Sequence, residues 1–327
     1  MAVLAVTDLK RRNLIIYTLL LILVVLWTFK LSFAGHATGI ISSLAKQHPH
    51  DSPPSSATSS SPASSSSSFS PSFSSSINDN STVAVIMETR PRPLLVPLIL
   101  HFISVLGPAW PIIVYTTPEN LGLFSTSASL QRHLQSGAVS IRLLPPTVLF
   151  TNSDSVSRFM ASPWLWEDLA PARTVLVFQS DSMVCANAAT RAEDFLEWDF
   201  VGAPIREGLG RGMNGGFSLR RRETFLRIAR EYEWTGKEGD TRFEDRWFFE
   251  RLLELRDRQE KDGLAEGEDE VRLPGKEEAR RFAVETVDFP HPFGVHQVHR
   301  WLGEQLVSLD DWCPEWKICS GDYIKDG

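Results

Sequence analysis

The sequence predicts an α/β domain with a mostly parallel sheet flanked by helices, occupying residues 83–327. Three observations carry this. Strand-like and helix-like segments alternate from Val83 onward, the pattern of a parallel sheet covered on both faces. TVLVF, Thr174 to Phe178, is an almost wholly apolar run, as expected of a central strand buried on both faces. That run ends in Gln179-Ser180-Asp181, a polar tripeptide placed where open α/β sheets bind ligands.

The elements follow in order. VAVIMET (Val83 to Thr89) reads as the first strand, LVPLILHFISVL (Leu95 to Leu106) as a helix that tolerates Pro97 near its start, and PIIVYTT (Pro111 to Thr117) as the second strand. SIRLLP (Ser140 to Pro145) is a third strand, and Ser155 to Leu169 a helix leading into the Thr174 strand. DFVGAP (Asp199 to Pro204) precedes a Gly-rich segment and the strand-like FSLR. Helices are expected from about Arg222 to Glu233 and from about Glu244 to Gln259. Lys261 to Lys276 is charged and Gly-bearing, a solvated loop, and FAVETV (Phe282 to Val287) a late strand.

The amino-terminal quarter has a different character. Residues 1–13 are a short tail with Lys10, Arg11 and Arg12 next to an apolar run, and residues 14–34 read as a transmembrane signal anchor with the tail in the cytosol. A cleaved signal peptide is the competing reading, with Ser32 and Ala34 at small-residue positions. Residues 35–82 form a Ser/Pro-rich stem too poor in apolar side chains to fold, closed by the sequon Asn80-Ser81-Thr82. These features predict a single-pass type II protein of the Golgi or endoplasmic reticulum membrane, its large domain luminal. Of three cysteines, Cys313 and Cys319 are close enough in sequence to close a short loop, leaving Cys185 as a buried thiol. A net charge of −7 without a basic stripe excludes a nucleic-acid footprint.

Several residues carry chemistry. Asp181 at the strand end needs a partner for its charge: a divalent cation with a nucleotide diphosphate is one, capping of the next turn another. In NGGFS, Gly215 and Gly216 allow close backbone approach to a sugar and Asn214 can donate to and accept from its hydroxyls; a Gly-rich turn is the plainer reading. GLGRGMNGG is no dinucleotide fingerprint, because FSLR rather than a helix follows it. Glu244 and Asp245 open a helix, where the macrodipole favours acids whatever their role. Trp164, Trp166, Trp198 and Trp247 read as core more readily than as a sugar platform.

The order VAVIMETRPRPLLVPLILHFISVLGPAWPIIVYTT, SRFMASPWLWEDL, VLVFQSDSMVC, DFVGAP, NGGFSLR, FEDRWFF and PFGVHQVHRW, over about Val83 to Trp301, resembles a largely fungal family of type II membrane proteins described as a domain of unknown function. That family is similar in organisation to glycosyltransferases of the GT-A fold. The resemblance implies a nucleotide-sugar-dependent transferase acting on a glycan, glycoprotein or glycolipid in the secretory pathway. Asp181 matches the second carboxylate of the GT-A Asp-x-Asp motif, which binds Mn²⁺ or Mg²⁺, and Gln179 replaces the first. His296 fits the third metal ligand, with His291 the alternative. Asp245 is implied as the base that deprotonates the acceptor, with Glu244 its neighbour or substitute. Glu88, Thr89 and Arg90 would receive the nucleotide, and Arg158 would reach its phosphate. The rival reading is a non-catalytic sugar-binding or scaffold protein that lost the metal carboxylate at Gln179.

Overall fold

The computed structural model describes residues 81–236, 242–264 and 269–319. Nine strands are present among them: β1 Thr82–Met87, β2 Ile112–Thr116, β3 Val139–Leu143, β4 Thr174–Phe178, β5 Ser182–Val184, β6 Phe200–Pro204, β7 Met213–Arg221, β8 Ala283–Val284 and β9 Gly294–His296. Six form the main sheet in the order β3-β2-β1-β4-β7-β6, and β5-β9-β8 form a small second sheet. All five residues of β4 are buried, as its apolar run requires.

The sheet is mixed, which corrects the expectation of a mostly parallel one. β3, β2, β1 and β4 run parallel, but β7 is antiparallel to both β4 and β6. β6 returns into β7 through a helix-free loop, Ile205 to Gly212, too short for the crossover that a parallel pair needs. The helix read at Leu95–Leu106 forms with those bounds and ends on Gly107 at φ +74°, while the strands read at Val83–Thr89 and Pro111–Thr117 form as Thr82–Met87 and Ile112–Thr116. Its Phe102 stacks on Phe178 of β4, ring centroids 3.9 Å apart, which ties the helix to the strand that carries Gln179 and Asp181.

Other boundaries shift for local reasons. The helix expected over Ser155 to Leu169 is two, Ser153–Met160 and Pro163–Asp168, because Pro163 starts a new first turn. The first has a reciprocal Asn152/Ser155 capping box. FAVETV contributes only β8: Phe282 closes the helix Lys276–Phe282, whose acids lie in the first turn and arginines in the last, and Glu285 lies beyond the strand. The helix at Glu244–Asp262 runs three residues past its expected end.

The cysteine pairing is corrected as well. Cys185, just after β5, is bonded to Cys313, Cα atoms 4.9 Å apart, and Cys319 is buried outside that disulfide, its thiol donating to the Trp316 carbonyl. The segment through Leu306–Trp312 folds back over β5, where Asn187 also donates to the Trp312 carbonyl and the Ala186 N–H to the Glu315 carboxylate. Proximity in space, not in sequence, chose the partner.

The membrane anchor is corrected too. Among the described residues no helix is long and apolar enough to cross a membrane. The longest helix, Glu244–Asp262, is rich in charges. The run at 14–34, the tail before it, the stem and Asn80 lie outside the described residues. The type II topology and the Golgi or endoplasmic reticulum placement built on that run therefore find no element to support them and are set aside.

Candidate functional site

The strand registers explain why motifs distant in sequence meet. Phe178 pairs with Phe217 in the antiparallel β4–β7 ladder, so the carboxyl end of β4 faces the start of β7. The Gln179 N–H donates to the Gly216 carbonyl at 2.9 Å, and the Ser182 hydroxyl to the same oxygen at 2.8 Å. In the second sheet Ser182 pairs with His296, which places His296 beside Asp181. The Glu244–Asp262 helix then points its first turn at β7: the Gly215 N–H donates to Asp245 Oδ2 at 2.9 Å. Strand-end loops, β9 and the helix start together enclose a cleft of about 310 Å³.

On one wall Asp181 and His296, each 2% exposed, form a buried pair, with His296 Nε2 3.2 Å from Asp181 Oδ1. Gln179 Oε1 lies 3.2 Å from the same nitrogen, and Glu285 Oε1 lies 3.2 Å from His296 Nδ1. Burial alone would lower the imidazole's pKa, but the charge and contact of Asp181, followed by Glu285, outweigh it and push it up to about 10. Gln297 holds the other Asp181 oxygen, its amide donating to Oδ2 at 2.7 Å, from a left-handed backbone at φ +46°. Glu285 also accepts from the Asn214 amide at 3.3 Å.

Asp245, which lines the same cleft, is pushed up from 3.8 to about 7. Burial is the main cause and the Glu244 charge the second; the Gly215 and Arg246 N–H groups and the Arg220 charge oppose them. A carboxylate so poised accepts a proton near neutral pH. Glu244 is engaged by Arg220 at 3.0 Å, and its N–H donates to the Ser157 hydroxyl at 3.3 Å.

The two glycines act differently from the sequence expectation. A Cβ on Gly216 would lie 2.2 Å from His296 Nε2, and one on Gly215 2.3 Å from Arg220 Nη2. Their bareness makes room for the site's own side chains rather than for a sugar. Asn214 and Gly216 line the cleft, as do Glu88, Arg90, Gln179, Asp181, Glu244, Asp245 and His296. Arg90 forks onto the Glu88 carboxylate, with its closest contact 2.6 Å, and reaches Ser180 Oγ at 3.3 Å. Thr89 accepts from the Phe150 N–H through its hydroxyl. Arg158 lies away from this cleft, over the Trp234 ring and beside a second surface hollow, and His291 packs on Trp312. Trp166 and Trp247 are core; the tryptophan on the cleft is Trp301.

Glu285, Gln297, Arg220 and Arg246 were not singled out from the sequence. Glu285 carried a signal in FAVETV, an acid inside an apolar run; Gln297 and Arg246 stand beside residues that were read, His296 and Asp245. Arg220 had no local signal, because only the folded sheet buries it.

The residues at the strand end can be tested for fit to a divalent cation. Asp181 Oδ1 is buried and accepts no hydrogen bond; its contact with His296 Nε2 is electrostatic rather than an aligned hydrogen bond. Glu285 on the far nitrogen is the kind of carboxylate that orients a metal-binding imidazole. With Gln179 Oε1 they make two oxygens and, once a cation displaces the proton that Asp181 and Glu285 hold on the ring, one imidazole nitrogen facing one another, a donor set that can take Mn²⁺ or Mg²⁺ sharing substrate phosphates. Among the described residues no group of three or more His, Cys, Asp and Glu side chains is placed to hold a metal by itself. The donor set fits a cation completed by a ligand rather than a closed protein cage.

Residues 138–296 match a family described as a protein of unknown function (DUF5672), less than half of the chain, and nothing in that match supports the membrane-protein family expected from the sequence over Val83 to Trp301. That match ends on His296 and includes Gln179, Asp181, the Asn214 segment and Asp245. No curated protein matches. Among solved structures, the apo-form glycosyltransferase GlyE of Streptococcus pneumoniae TIGR4 is similar at TM-score 0.41 and 13% identity, over 73% of this chain and 64% of that one. The mannosyltransferase PcManGT of Pyrobaculum calidifontis, in complex with GDP-Man and Mn²⁺, is similar at TM-score 0.37 and 10% identity, over 60% and 55%. TarS 1–349 of S. aureus is similar at 0.34 and 12%, over 51% and 53%. This chain spans less than two thirds of the length of each, and at these scores the likenesses fix neither a substrate nor a reaction for it.

Proposed function

We propose that this chain is a GT-A-like glycosyltransferase that moves a sugar from a nucleotide donor to the hydroxyl of a glycan, glycoprotein or glycolipid. The observation that supports this best is the pairing, across one cleft, of a carboxylate poised near neutral pH, Asp245, with the buried Asp181–His296 pair at the end of a central strand. In this reading Asp245 takes the proton of the acceptor hydroxyl while that oxygen bonds to the anomeric carbon of the donor. The bond from the anomeric carbon to the phosphate oxygen breaks in the same displacement, and the nucleoside diphosphate leaves with the electron pair. Asp181, His296 and the Gln179 carbonyl would hold Mn²⁺ or Mg²⁺. When bound, the cation supplies positive charge against the diphosphate oxygens. Glu88 and Arg90 line the end of the cleft where β1 finishes and would receive the nucleotide, with Asn214 facing the sugar.

A panel of nucleotide sugars, assayed for release of nucleoside diphosphate with and without Mn²⁺, tests the reading. Turnover of a donor that Asp245→Asn abolishes supports it. Donor binding without turnover would instead favour the sugar-binding protein suggested by Gln179 in place of a carboxylate.

A further inference from the structure

Arg220 on β7 is 0% exposed and ringed by Trp166, Phe200 and Phe225, whose centroids lie 5.2–5.8 Å from its guanidinium carbon. Its Nε donates to Ser218 Oγ at 2.9 Å, and its Nη2 donates to the Gly215 carbonyl at 3.1 Å and to Glu244 Oε1 at 3.0 Å. Nη1 is buried without a hydrogen bond. A guanidinium so placed is costly to desolvate, and a buried ion pair is poor evidence for stability in its own right. Its location indicates another role. Gly215, which Arg220 grips by its carbonyl, gives its N–H in the preceding peptide unit to Asp245, and a Cβ on Gly215 would collide with Arg220 and Asp245 and crowd Glu244.

The charges around Asp245 are few. Glu244 precedes it on the helix and Arg220 approaches from β7. Arg246 offers Asp245 its backbone N–H, while its guanidinium donates to the Leu209 carbonyl. On the neighbouring helices Asp154 pairs with Arg242, Arg158 lies over Trp234, and Arg222, Arg227 and Arg230 pair with Glu223, Glu231 and Glu167.

We propose that the Arg220–Glu244 pair is a positioning device for Asp245: it fixes Gly215, whose N–H donates to Asp245, and seats the Glu244 carboxylate beside it, leaving Asp245 as the residue that takes up the acceptor's proton. The last clause rests on the proposed transferase function; the placement of the pair does not. Glu244 is thereby a neighbour that sets the local field, not the base.

The test is a ¹³C carboxyl NMR titration of the whole chain, with the Asp245 signal assigned by its loss in Asp245→Asn. Glu244→Gln keeps an acceptor for Arg220 and removes the charge, so the Asp245 midpoint falls by about one pH unit or more, tenfold in acidity. Arg220→Met combined with Glu244→Gln removes both charges without stranding either, and the midpoint rises again relative to Glu244→Gln alone. A midpoint that Glu244→Gln leaves where it is in the wild type overturns the proposal, whether or not the double variant folds. So does a folded double variant that titrates like Glu244→Gln. The titration needs no substrate. A chain that transfers no sugar yet shows these shifts loses the proposed function and keeps the pair's role; one that transfers sugar with an unmoved midpoint loses the pair's role alone.

Discussion

Gly215 gives its backbone N–H to Asp245 Oδ2 at 2.9 Å, and this bond joins the start of β7 to the first turn of the Glu244–Asp262 helix. The strand is antiparallel to β4, so the same few residues also touch Gln179 and Ser182. Asp245 and Asp181 thus face one cleft because a single Gly-Gly step lies between them. Neither glycine has room for a side chain.

Asp245→Asn should lower sugar transfer by roughly 10²–10⁴-fold, the usual contribution of a positioned general base, with little loss of structure. In the wild type the rate should rise with pH and level off above about 7, because the base must be deprotonated to act and its pKa is raised to that value. Initial rates from pH 5 to 9 check this. A profile flat across pH 7 in an active enzyme would remove Asp245 from the proton transfer.

The same shift has a consequence for folding. Asp245 holds its proton more tightly folded, near 7, than at its unfolded value of 3.8. Its contribution to stability is therefore fully present below about pH 3.8 and is lost as pH rises toward and through 7. Asp245→Asn has no such proton to lose. Its stability relative to the wild type should grow from pH 5 to pH 8, measured as the denaturant midpoint at each pH. A constant difference would contradict the shift.

Gly216→Ala should disturb the site through sterics alone. The added methyl would stand 2.2 Å from His296 Nε2, against a wall with no slack, since His296 is 2% exposed and fixed by Asp181 and Glu285. Overpacking of this kind costs about 1–3 kcal/mol. Denaturant unfolding gives the cost, and the His296 ring resonances should move. Wild-type stability together with an unmoved ring would mean that the backbone of β7 yields instead.

Much of this site was legible in the sequence because its residues stand at element ends, where local signals are strongest. The apolar run into Gln179-Ser180-Asp181 and the acids opening the Glu244 helix needed only periodicity and the helix dipole. The mixed sheet was not legible, because strand direction is set by how β6 returns into β7, not by composition. Nor was the Cys185–Cys313 bond, since the fold-back that joins residues 128 positions apart leaves no local trace. Arg220 failed for the same reason: in the sequence it is one arginine of a run of three, and only the sheet places it under Asp245.

The strand end carries the last prediction. Asp181 Oδ1, His296 Nε2 and Gln179 Oε1 converge, yet Gln179 brings a neutral oxygen where a carboxylate would bind a divalent cation more tightly. Gln179→Asp should then strengthen Mn²⁺ binding by about tenfold or more, one added full charge at coordination distance being worth at least about 1.4 kcal/mol. Asp181→Ala should abolish binding, since it removes the buried oxygen that accepts no hydrogen bond. Titration calorimetry with MnCl₂ reads both without any sugar substrate. Equal affinity in the wild type, Gln179→Asp and Asp181→Ala would show that the cation does not sit at this strand end, and the charge opposing the leaving diphosphate would have to come from the chain's own cations, His296 first among them at 2% exposure.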